Sequence, residues 1–95
     1  MIIGTLTVDF RLHGIVSRKQ KRSFAASLKQ KLRNKFNVSV AEIDGLESLH
    51  RMTLAVVTVS NETKRVQSLI NKAQSMIEAC STEEITSVEV ELFGA

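Results

Sequence analysis

The chain has 95 residues, no Trp, no Tyr, no Pro and one cysteine, and a formal net charge of +3. That length supports one hydrophobic core and a single domain spanning 1–95, and a lone Cys80 excludes an internal disulfide and fits a reducing cytoplasm. With no long apolar run and no basic leader, neither a membrane span nor a secretory signal is expected.

Residues 2–12 alternate: Ile2, Leu6, Val8, Phe10 and Leu12 share one side, and Thr5, Thr7, Asp9 and Arg11 the other. That period is a strand with one buried face. His13 and Gly14 break it, and Ser17 then offers a helix N-cap with Gln20 at capping-box spacing. From Ser17 to Asn37 the apolar residues Phe24, Ala25, Leu28, Leu32 and Phe36 gather on one helical face. Arg22, Lys29 and Arg33 line one flank of it with Lys19 further round, and Lys31 and Lys35 line the other. Lys21 projects from the core face itself, with a stem able to reach past the sheet edge to a carboxylate inside the protein or a phosphate outside it.

Val38 to Asp44 reads as a short strand, followed by a loop holding Gly45. Arg51 to Val59 is apolar at both parities, the mark of a central strand covered in part on both faces. Ser60 is placed to cap a second helix, with Glu62 in its first turn and Val66, Leu69, Ile70, Ala73 and Ile77 as its apolar stripe. In the last strand Val88, Val90 and Leu92 alternate with Ser87, Glu89 and Glu91. The order strand, helix, strand, strand, helix, strand points to a compact arrangement. It is an α+β ferredoxin-like split β-α-β, an antiparallel four-stranded sheet with both helices on one face.

The first helix dominates the charge pattern. Nine of the thirteen Lys and Arg residues fall between Arg11 and Lys35, and no acid falls between Asp9 and Glu42. Residues 1–41 hold nine bases against one acid, net +8, whereas residues 42–95 hold four bases against nine acids, net −5. Arg18, Lys19, Lys21 and Arg22 crowd the helix start, where the dipole disfavours cations, so the arrangement suits an acidic ligand there. The sequence thus points to Arg18, Lys19, Lys21, Arg22, Lys29 and Arg33 as a phosphate-binding track. Against it stand Glu47, Glu83 and Glu84, which the topology brings to the same sheet edge as internal counter-charges. The outward positions of the central strands hold no aromatic residue, so base stacking on the open sheet is not expected, and backbone and shape recognition of folded RNA remains.

Ile3 and one parity of the third strand give the open sheet face an apolar character that suits a homodimer. His13, His50 and Cys80 fall at one edge, but none has a partner at metal-motif spacing, so neither a metal nor a cofactor is expected. No paired carboxylate, nucleophile–base pair or glycine-rich phosphate loop appears. The cradle between first strand and first helix is similar to that of acylphosphatases, but residues 51–59 lack an Asn to orient water. The expectation is a protein that is not an enzyme.

The opening Met1-Ile2-Ile3-Gly4, the run Ser17-Arg18-Lys19-Gln20-Lys21-Arg22, the segment Arg33 to Glu42 and Val59-Ser60-Asn61 together resemble the YlxP-like family of small bacterial proteins. The likeness spans nearly the whole chain. Where many members carry Trp before the third strand this chain has Leu49, and Ala55 replaces a common Gly. The resemblance implies a ferredoxin-like fold. It also implies a gene placed beside those of a translation initiation factor and ribosome-binding factor A, hence a role near translation. The reading is a non-enzymatic, cytoplasmic accessory protein that binds RNA or a ribosomal subunit through its first helix. The alternatives are a homodimeric protein–protein adaptor docking an acidic surface and a ligand-sensing dimer.

Overall fold

Alternation of buried and open positions organises the computed structural model, which describes residues 1–95. Strand β1 (Ile2–Arg11) is followed by helix α1 (Arg18–Lys35), β2 (Ser39–Asp44), β3 (Arg51–Ser60), helix α2 (Thr63–Cys80) and β4 (Glu84–Gly94). The four strands form one antiparallel sheet in the order β2-β3-β1-β4, the ferredoxin-like arrangement. Strand β3 is central, as its two apolar parities require. Leu54 and Val56 are wholly buried under the helices, while Ala55 and Val57 lie half-buried on the open face.

The core is the layer between sheet and helices. Leu6, Val8 and Phe10 of β1 meet Ala25, Leu28 and Leu32 of α1 and Val66, Ile70, Ala73 and Ile77 of α2. Each large aliphatic buried there contributes about 1.5–3 kcal/mol. Phe10 packs edge-on against Phe24, ring centres 5.6 Å apart. Gly4 is required by close packing, since a Cβ there would lie 2.3 Å from Val66 Cγ1 and 3.1 Å from Ile70 Cγ1.

Local details depart from the sequence reading in small ways. In α1, Ser17 Oγ accepts from the Gln20 N–H at 3.2 Å, but the Gln20 carbonyl Oε1 accepts from Val16 N–H at 2.8 Å, one residue before the cap. Helix α2 begins after Glu62, whose side chain makes no capping bond, and Ser60 Oγ accepts from Glu62 N–H at 3.3 Å instead of capping the helix. Two irregularities bend the edges. Ile43 is an extra residue between the pairs Glu42–Leu54 and Asp44–Thr53, and Thr86 between Ser87–Asp9 and Ile85–Phe10. The first carries Asp44 round to the open face, where its carboxylate meets Arg51 at 3.2 Å. No helix is long and apolar enough to cross a membrane.

Candidate functional site: the basic flank of α1

The edge that holds the α1 start also holds the Asp44–His50 loop and the α2–β4 connection, as the topology demands. Arg18 meets Glu47 at 3.3 Å, an exposed pair worth under about 1 kcal/mol. Backbone N–H groups of His13 and Gly14 both donate to the Glu83 carboxylate at 3.0 Å, and His13 Nε2 lies 2.6 Å from Glu84 Oε1. That bond holds the Glu84 carboxyl below the usual carboxylate range. The turn before α1 therefore has an anion already, supplied by the chain itself. What stays open at the helix start is exposed Lys19, the Arg18 donors that Glu47 does not take, and the leading backbone N–H groups that Ser17 does not cap.

Lys21 belongs inside. Its ammonium donates to the carbonyls of Gly45 and of Ser48, the latter at 2.6 Å, and lies 3.1 Å from Glu42 Oε2. Only 7 % of the Lys21 side chain and 15 % of the Glu42 side chain remain exposed. With Nζ committed to the two carbonyls, Glu42 Oε2 is held as an ion partner without a hydrogen bond of its own. Lys21 is thus corrected from a phosphate ligand to the post that ties α1 to the β2–β3 loop. Gly45, at φ +77°, makes the loop turn that presents its carbonyl.

The remaining cations converge. Arg22, Lys29 and Arg33, at intervals of seven and four on one flank of α1, line a groove of about 540 Å³ between that helix and the β2 edge. Ala25 and Ala26 form part of its wall, and their small side chains leave the groove open. Arg33 Nη2 donates to the Val40 carbonyl at 2.9 Å, which fixes its guanidinium at the rim and leaves further donors free. Arg22 and Lys29 have no acidic partner, and the one carboxylate lining the groove, Glu42, already faces Lys21. The sequence identified all three cations; it missed the strand edge that turns a helix flank into a concave surface.

Elsewhere, His13 is engaged by Glu84, His50 lines the open face beside Arg51, and Cys80 packs half-buried against the core. No three His, Cys, Asp or Glu side chains converge on a point that would hold a metal ion. On the open sheet face the register sets Ile3 beside both Val59 and Phe93, with Val57 adjoining. Val59 is 57 % and Phe93 46 % exposed.

A family model described as "Protein of unknown function (DUF503)" matches residues 3–90. The chain belongs to that family. It is 24 % identical over 92 residues to the uncharacterized protein YlxP of Bacillus subtilis (strain 168), an alignment covering 97 % of this chain and all of that one. The sequence resemblance is thereby confirmed at the level of the family. Among solved structures, SnoaB from Streptomyces nogalater, described as a cofactor-independent oxygenase, aligns with 98 % of this chain and 92 % of its own at 13 % identity and a TM-score of 0.53. A dimeric ferredoxin-like protein of unknown function from Thermobifida fusca aligns with all of this chain and 92 % of its own at 14 % identity and a TM-score of 0.48. The likeness to SnoaB concerns the fold, which many unrelated activities share.

Proposed function

We propose that this protein is a non-enzymatic accessory factor of the cytoplasm that binds RNA, free or on a ribosomal subunit, by its phosphate backbone. The observation that carries the reading is the α1–β2 groove, where Arg22, Lys29 and Arg33 line a concave surface beside a helix without a single acid. Cations without acidic partners on a concave surface attract a polyanion and release its counterions on contact. Arg18 and Lys19 extend the track toward the helix start. The family's gene placement beside translation genes favours RNA over other polyanions.

The test is a charge reversal at positions with no structural duty. Arg22→Glu with Lys29→Glu is preferred to changes at Arg33, because Arg33 also holds the β2 edge. Binding of a folded RNA should weaken as salt rises, more steeply the more phosphates are engaged. The double variant should keep its far-ultraviolet spectrum and lose that binding. Unchanged affinity in the folded variant would sink the proposal.

A second reading, a homodimeric adaptor docking an acidic protein surface, has its own support in the apolar end of the open sheet. Ile3, Val57, Val59 and Phe93 form a contiguous patch there. Its test is the molar mass of the chain by sedimentation equilibrium, with Val59→Lys and Phe93→Lys expected to dissociate the pair. A monomeric wild-type chain would remove this reading.

A further inference from the structure

Leu69 is a leucine that the core does not use. Helix α2 buries Val66, Ile70, Ala73 and Ile77 completely against the sheet, while Leu69 stays half-buried and faces the C-terminal end of α1. There it shares a hollow of about 890 Å³ with Lys35, Phe36, Lys64 and Lys72. A second hollow of about 520 Å³ continues along α2 past Met76 and shares Lys35, Phe36 and Lys72 with the first. Together they make one groove on the outer surface of the helical layer, across the molecule's basic half from the α1–β2 groove.

The chemistry of this groove differs from that of the phosphate track. Its floor is apolar, supplied by Phe36, Leu69 and Met76, and its rim is cationic. Lys35, Lys64 and Lys72 have no ion-pair partner; only Arg65, beside them, is engaged, with Glu62 at 3.3 Å. Leu69 and Met76 stand seven residues apart, about 10.5 Å along the axis at 1.5 Å per residue, the separation of positions i and i+7 on an incoming helix. Lys72 falls between them on the rim.

We propose that this groove docks an amphipathic helix of a partner protein, its apolar stripe on Phe36, Leu69 and Met76 and its acidic flanks on Lys35, Lys64 and Lys72. Helix-in-groove recognition uses apolar anchors at this spacing, and the unpaired lysines supply the complementary charge. The concavity distinguishes the occupant from a bilayer, which receives side chains that protrude and not ones sunk in a hollow. Nucleic acid would engage the lysines of the rim alone and leave the apolar side chains of Leu69 and Met76 unused. The proposal does not rest on RNA binding, since the two grooves share no residue.

The probe is a fluorescein-labelled peptide of roughly 18 residues, about 27 Å as a helix, with Leu at helical spacing and Glu on both flanks. A scrambled peptide of the same composition is its control. Binding to the intact chain is read by anisotropy, and its position by methyl resonances of Leu69 and Met76. The amphipathic peptide should bind about tenfold more tightly than the scrambled one, a difference of about 1.4 kcal/mol, and shift both methyls. Lys64→Glu with Lys72→Glu, at two exposed helix positions, should abolish that preference. Equal affinity for the two peptides would reduce the groove to a charge patch and overturn the proposal. So would shifts confined to Ile3 and Val59, or preferential shifting of the groove methyls by anionic vesicles or an RNA oligonucleotide.

Discussion

Lys21 shows how one residue divides a fold from a function. In the sequence it is one of four cations at a helix start, and nothing local separates it from Arg22. In the fold it stands one position round the helix, over the core, where water is scarce and every donor needs a partner. Two carbonyls and Glu42 satisfy it. Lys21→Met keeps the stem but strands a largely buried carboxylate and two loop carbonyls, so it should cost about 3 kcal/mol of stability. RNA affinity of the folded fraction should be unchanged. Urea denaturation and RNA titration of the same variant check both halves, and lost affinity would restore Lys21 to the phosphate track.

Asp44 makes a residue-scale prediction with a sign. Its carboxyl lies below the usual Asp range, chiefly through the hydrogen bond from Arg51, then through the Gly45 N–H and the Arg51 charge. A carboxyl lowered by folding stabilises fully above its unfolded value, about 4, and loses that contribution as pH falls through its lower folded value. Asp44→Asn should therefore be less stable than wild type at about pH 5, and the gap should close on further acidification. A gap independent of pH in urea denaturation would contradict the assignment.

Among the elements, those with strict periodicity were the legible ones. Strand β1 and helix α1 follow from alternation and from the spacing of Ala25, Leu28 and Leu32, and β3 is central because both its parities are apolar. The cap of α2 was not legible, because Ser60 belongs to the end of β3 and its hydroxyl serves a turn instead. The extra residue at Ile43 was not legible either, since the Ile gives no local sign of which strand face it will leave. Leu69 looked like core by spacing, but its face of α2 lies beyond the cover that α1 provides. Gly4 gives no sign in the sequence of its duty, yet it sets how closely α2 approaches β1. Gly4→Ala forces Val66 and Ile70 aside and should destabilise by about 1–3 kcal/mol. A urea midpoint equal to wild type would show that α2 yields freely.

At the scale of the whole molecule, most of the chain's cations come to lie on the two helices. The basic half puts its cations on α1, and α2 adds Lys64, Arg65 and Lys72 to the same helical layer. The acidic half spends Glu42, Glu47, Glu83 and Glu84 on bonds at one edge and leaves Glu89 and Glu91 exposed on β4. Internal pairing is therefore complete at Lys21, partial at Arg18, and absent along Arg22 and Lys29, while Glu83 and Glu84 are held by the backbone and imidazole of the turn before α1. The sequence located the cations but not this gradient, because pairing depends on which strand edge lies opposite each turn of the helix. The gradient moves the centre of the proposed site from the helix start to the α1–β2 groove.

Co-sedimentation of the intact protein with purified ribosomal subunits, at low and moderate salt, tests that conclusion most directly. The account predicts binding to one subunit that weakens with salt and disappears in the folded Arg22→Glu, Lys29→Glu variant. Binding that survives the charge reversal, or none at any salt, would contradict it.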